Sequence, residues 1–127
     1  MSIFTEAELT YLQSERRLAR IATVGPDGAP HVTPVGWTLN TAEQVIEITG
    51  INLARTNLAR TKKFRDIART HRAALVIDDV LPPWQPRGIE IRGRADAITE
   101  PEPCIRIHLD RIIGWGLDGR HNARDIR

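Results

Sequence analysis

Thr61, Lys62 and Lys63 are the residues whose types and spacing most directly suggest chemistry. Phe64, Ile67, Ala68 and His71 come after them at i, i+3, i+4, i+7 spacing, which predicts a helix with an apolar face. Thr61 is a good N-cap for that helix. Lys62 and Lys63 then fall in its first turn, where the helix dipole is already positive. Cations are poorly placed there unless an anion sits on them. Free N–H groups, a hydroxyl and two ammonium groups converge on one spot, which is the physics of a phosphate site. The competing reading is a solvated basic helix face. Net charge is +2, yet residues 55–72 alone carry +6, which leaves −4 for the rest. This concentration favours an anion bound at one place. The five residues Asn52–Thr56 repeat as Asn57–Thr61. The second copy abuts the lysines and reads as functional. The first reads as a tolerated loop insertion, since doubling a loop costs only about 0.6 kcal/mol.

Other chemistries find less support. Cys104 is the single cysteine, so neither an internal disulfide nor a cysteine-based zinc site is expected. His31, His71, His108 and His121 lack ligand spacing, and no metal is expected. No Ser-His-Asp set is recognisable, so no side chain is assigned as a covalent catalyst. Asp78 and Asp79 read as a solvated strand end rather than an acid pair. Gly114–Gly119 spells G-x-G-x-x-G, but the chain has no room for the helix that motif must open, so it reads as a C-terminal turn. Aromatic residues make up 5% and the basic residues form one cluster rather than a stripe, which argues against a nucleic-acid partner.

The elements that must position these residues are legible. The 127 residues suit one domain, 1–127, with a loose tail over about 118–127. Composition is that of an ordinary globule, with 41% hydrophobic and 27% charged residues. No apolar run approaches the roughly 20 residues of a membrane helix, and the N-terminus does not resemble a signal peptide, so a cytoplasmic protein is expected. Thr5 and Glu8 fit a capping box opening a helix over 5–16. Strands are expected over 18–24, 31–39, 44–50, 73–79, 88–98 and 104–116, with turn chemistry at Gly25–Gly28. Pro34 and Gly36 mark an edge strand, or a place where a ligand nears the backbone. The three prolines of 81–88 predict a loop, in which Trp84 is an anchor or, alternatively, a cover over a ligand groove. About six strands joined mostly by hairpins, with two helices, predict an antiparallel barrel or sandwich. Its small interior would be filled by side chains, leaving a ligand outside it or between subunits.

The ordered pieces LARIATVGPDGAPHVTPVGW, ITG, LARTKKFRDI, ALVIDD, PRGIEIRGRADAI and IRIHLDRIIGWG resemble the pyridoxamine 5'-phosphate oxidase-like proteins, and more narrowly their F420-dependent branch from actinobacteria. The resemblance runs from about residue 5 to 117. It implies a six-stranded antiparallel split β-barrel, homodimeric, that binds flavin or deazaflavin in a groove between subunits. It implies a cofactor phosphate at Thr61, Lys62 and Lys63, with Arg60 beside them. It places Pro34, Val35, Gly36 and Trp37 along the ring system, and Arg87, Gly88 and Trp115 close by. It implies an oxidoreductase in which reduced coenzyme F420 passes hydride to an unsaturated small molecule. FMN is the alternative cofactor, and a non-catalytic F420 carrier the alternative role. The acidic tail of the deazaflavin suits the basic segment, whereas FMN carries one phosphate and needs fewer cations.

Overall fold

The computed structural model describes residues 2–49, 57–118 and 121–126. The first helix, α1 (Glu6–Ser14), carries the expected capping box: Thr5 accepts from the Glu8 N–H, and Glu8 accepts from the Thr5 N–H. Strand β1 (Ala19–Val24) turns at Gly25–Gly28 into β2 (Pro30–Val35). The expected strand over 31–39 is in fact two. It breaks at Gly36 and Trp37, and β3 (Thr38–Asn40) pairs with β4 (Val45–Ile48) rather than continuing along β1. The first copy of the repeat lies outside the described residues. In the second copy, Asn57 caps a short 3-10 turn (Leu58–Arg60) and Leu58 is buried. Helix α2 (Lys62–Thr70) begins where Thr61 predicts. Its buried face is Phe64, Asp66 and Ile67, whereas Ala68 and His71 are exposed. His71 adopts a left-handed conformation that ends the helix, so it is a C-cap and not a face residue.

Strands β5 (Arg72–Leu81), β6 (Gln85–Ile98) and β7 (Cys104–Trp115) form the long antiparallel centre. The expected loop over 81–88 is a tight hairpin: Val80 pairs with Pro86 and Leu81 with Gln85. Pro86 is tolerated because the pairing is ending there, close to the hairpin tip. The tail is not loose throughout, since Asn122–Asp125 forms β8 against β7. The sheet therefore has eight strands rather than six, in the order β2-β1-β5-β6-β7-β4-β3, with β8 on β7. Its two ends, β2 and β3, are consecutive in sequence and joined through Gly36 and Trp37, so the chain itself closes the barrel. Isoleucines from β1, β4, β5, β6 and β7 fill the interior. This is the antiparallel split-barrel architecture, with two helices outside it.

A bulge bends the centre. The β6–β7 register shifts after Arg92, which pairs with Arg111 while Gly93 pairs with Leu109, leaving Asp110 unpaired. A Cβ on Gly93 would run into the His108 carbonyl oxygen. Gly93→Ala is therefore expected to cost about 2 kcal/mol, because backbone must move. Urea titration against an Ala95→Gly control would check it, and an unchanged midpoint would refute it.

Candidate functional site

The sequence-predicted residues gather in two groups at opposite ends of β1. Five residue steps along that strand separate them, about 17 Å. At the Val24 end lie Arg60, Thr61, Lys62 and Lys63. The Thr61 hydroxyl caps the Phe64 N–H at 3.3 Å and donates to the Leu58 carbonyl at 2.7 Å. The Lys62 and Lys63 N–H groups have no acceptor among the described residues. Lys62 rests against the β1–β2 turn, since a Cβ on Gly25 would meet its Nζ at 2.8 Å. Its ammonium is 3.5 Å from Asp66, one turn along. Asp66 is buried, accepts from Thr23 Oγ1 at 2.9 Å and faces Arg69 at 3.7 Å. Burial pushes its carboxyl up, but Thr23, Lys62 and Arg69 outweigh that and hold it below the usual range. Lys62 and Arg69 are thus partly committed to Asp66. Lys63 is half-buried, with no acidic partner among the described residues, and burial pushes its pKa down. A half-buried ammonium without a counter-ion is costly unless an anion joins it. These groups fit a phosphate.

The second group lies at the Ala19 end. The register runs Val35–Ala19–Ile77–Ile89–Gly114 across five strands. The inward residues of this row are core. Their neighbours Pro34, Arg20, Asp78, Gly88 and Trp115 face the outer side. Val35 is buried and offers a ligand only its backbone. Gly88 makes room for the Trp115 indole: a Cβ there would lie 2.8 Å from Trp115 Cζ2. Trp37 is half-buried, donating from Nε1 to the Arg17 carbonyl at 2.7 Å. Arg87 and Gly88 are adjacent in a strand and therefore point to opposite faces. Arg87 faces α1.

There it meets residues that sequence reasoning did not assemble. Asp79 accepts from Arg87 Nε at 2.7 Å and Nη2 at 3.1 Å, from Arg17 Nε at 3.1 Å and from the Tyr11 hydroxyl at 3.0 Å. Both guanidiniums stack on the Tyr11 ring, 3.9 and 4.9 Å from its centroid. Asp79 is therefore an ion-pair hub, not a solvated strand end. The only signal was the acidic pair itself, because its partners come from three elements. Burial, then the Asp79 bond, push the Tyr11 phenol far above its ordinary value, so it remains a donor. Trp84 is 75% exposed at the hairpin tip, so it does not anchor the hairpin against the described residues.

A family profile described as pyridoxamine 5'-phosphate oxidase matches residues 4–121. The chain is 39% identical over 138 aligned positions to a 5a,11a-dehydrotetracycline/5a,11a-dehydrooxytetracycline reductase from Streptomyces rimosus subsp. rimosus, spanning 97% of this chain and 93% of the relative. Among solved structures, a conserved hypothetical protein from Mycobacterium tuberculosis superposes with a TM-score of 0.70 at 21% identity, covering 93% of this chain and 88% of that one. A structure described as an F420 reductase gives 0.59 at 18% identity, covering 81% and 94%. At these identities the structures speak to the fold alone. The family match over nearly the whole chain is what identifies it: this protein belongs to the pyridoxamine 5'-phosphate oxidase family.

Proposed function

We propose that the protein is a reductase that binds reduced coenzyme F420 across the outer face of its sheet and reduces an unsaturated small molecule. One observation carries the cofactor part: Lys63 is half-buried and, among the described residues, has no acidic partner, at a helix start whose first N–H groups have no acceptor there. Thr61, Lys62, Lys63 and Arg60 would hold the phosphate. Pro34, Val35, Gly36 and Trp37, with Gly88 and Trp115, would lie along the rings. When bound, the cofactor supplies the hydride, and the protein positions and shields it. The outer face between the two groups exposes Val24 and Val32, the latter at 66%, beside the Arg20–Asp78 ion pair, and a second copy of the chain would complete the groove. The tetracycline-type reductase relative supports the reaction class. The reading places the protein in the cytoplasm, and no described helix is long and apolar enough to cross a membrane.

FMN is the second reading, and the structure favours it on one point. Asp66 engages Lys62 and Arg69, so fewer cations are left for an acidic tail than the sequence suggests. Titrating F420 and FMN in parallel into wild type and Lys63→Ala separates the two. Charge-assisted hydrogen bonds contribute about 1.5–3 kcal/mol, so the variant should lose about tenfold to a hundredfold in affinity for the true cofactor. Binding of neither cofactor by a folded wild type would overturn the proposal.

A further inference from the structure

Asp66 is a charged residue on the buried face of α2, 3% exposed alongside Phe64 and Ile67. A buried carboxylate is costly unless it is paired, and an apolar side chain would pack there without that cost. Its two oxygens are served unequally. Oδ2 accepts from the Thr23 hydroxyl at 2.9 Å. Among the described residues Oδ1 has two long contacts, with Lys62 Nζ at 3.5 Å and Arg69 Nη2 at 3.7 Å. Arg69 also donates to the Val24 carbonyl, which keeps it on β1. The Lys62 side chain is 44% exposed and reaches over Gly25. Asp27 lies beside the same glycine, with its Oδ1 accepting from the Ala29 N–H at 3.0 Å. Lys62 is therefore held loosely, between a buried carboxylate and the β1–β2 turn, while its own residue opens the helix. Lys63, the next residue, has no acidic partner among the described residues.

An anion at the helix start competes with Asp66 for Lys62. Each negative charge it brings also meets the Asp66 charge, and burial keeps water from screening that repulsion. One phosphate group can be met by Lys63 and the first N–H groups of α2 without taking Lys62 from Asp66. A second or third phosphoryl group needs Lys62 as well. We propose that Asp66 determines the charge specificity of this site: by withholding Lys62 it lets the helix start take a single phosphate group and discriminate against polyanions. That the phosphate belongs to a cofactor rests on the reductase reading, but the charge filter does not. Lys63 becomes the principal cation, and Thr23 is the positioning residue for Asp66.

The test titrates inorganic phosphate and tripolyphosphate into the full chain and follows the backbone amide resonances of Thr61–Phe64, which localise binding to the helix start. In wild type, Lys63→Gln should weaken phosphate about tenfold, and Lys62→Gln about threefold or less. Asp66→Asn removes the charge and keeps an acceptor for Thr23. It should strengthen tripolyphosphate about tenfold and phosphate about threefold, so the ratio of the two affinities shifts. In the Asp66→Asn background the loss caused by Lys62→Gln should grow about fivefold, a coupling between the two side chains. A purely structural role for Asp66 would instead weaken both anions together, in step with lost stability. If Asp66→Asn does not fold, the comparison of the two lysine variants still decides. Equal losses in Lys62→Gln and Lys63→Gln, an unchanged affinity ratio in folded Asp66→Asn, or no amide shift in wild type with either anion would each overturn the proposal. Failure of the reductase reading shows differently, as no F420 or FMN binding by wild type while the phosphate pattern holds.

Discussion

Arg124→Ala is expected to lower the stability of the fold by about 3 kcal/mol, within the range for breaking a buried ion pair from one side. Glu8 is only 2% exposed. Its carboxylate takes Arg124 Nη1 at 2.9 Å and Nη2 at 2.6 Å, and Nη2 also donates to the Ile3 carbonyl at 2.8 Å. Removing Arg124 leaves a buried charge whose remaining partner among the described residues is the Thr5 N–H. It also frees β8, whose hold on the bulge includes the Ile126 N–H donating to the Asp110 carbonyl at 2.7 Å. Urea unfolding measures the loss. Glu8→Gln/Arg124→Met, which removes both charges, should recover most of it, because the cost comes from the orphaned carboxylate. If the double variant is as unstable as the single, the ion pair is not the cause.

Asp79→Ala is the second large effect, expected at about 2–3 kcal/mol. It leaves two guanidiniums beside Tyr11 without their shared counter-charge and removes the acceptor of a buried phenol. The Arg87 hydrogen bonds first, then those of Arg17 and Tyr11, outweigh burial and hold the Asp79 carboxyl far below the usual carboxylate range. With the folded value depressed, its contribution is fully present above the unfolded value of about 3.9 and is lost as pH falls through the folded value. Asp79→Asn should therefore flatten the decline in stability below about pH 4. A parallel acid limb in wild type and variant would show that other carboxylates set it.

Much of the architecture was legible because it rests on local rules. The α1 capping box involves residues three apart, and the start of α2 is set by Thr61 and the spacing behind it. Alternation along 88–98 and 104–108 shows which residues face inward. Elsewhere a local signal was real but misassigned. Prolines over 81–88 suggested a loop, yet a two-stranded tip tolerates them where pairing ends. Pro34 and Gly36 did mark a break. Beyond that break the chain starts a new strand on the opposite edge of the sheet, a placement that no window of sequence contains.

By itself the sequence determined the class of fold, the start of α2 at Thr61 and the family, each carried by neighbouring residues or by ordered motifs along the chain. Only the tertiary structure decided which charges are free to act. Lys62 and Lys63 are equivalent in sequence, but the packing of α2 on β1 brings buried Asp66 to one and leaves the other without a partner among the described residues. Arg87 and Gly88 are adjacent, but strand geometry sends them to opposite faces, one to Asp79 and Tyr11, the other beneath Trp115. Glu8 and Arg124 are 116 residues apart, and only the docking of β8 brings them together. A charge's role depends on its desolvation and its nearest counter-charge, and both are set by contacts distant in sequence.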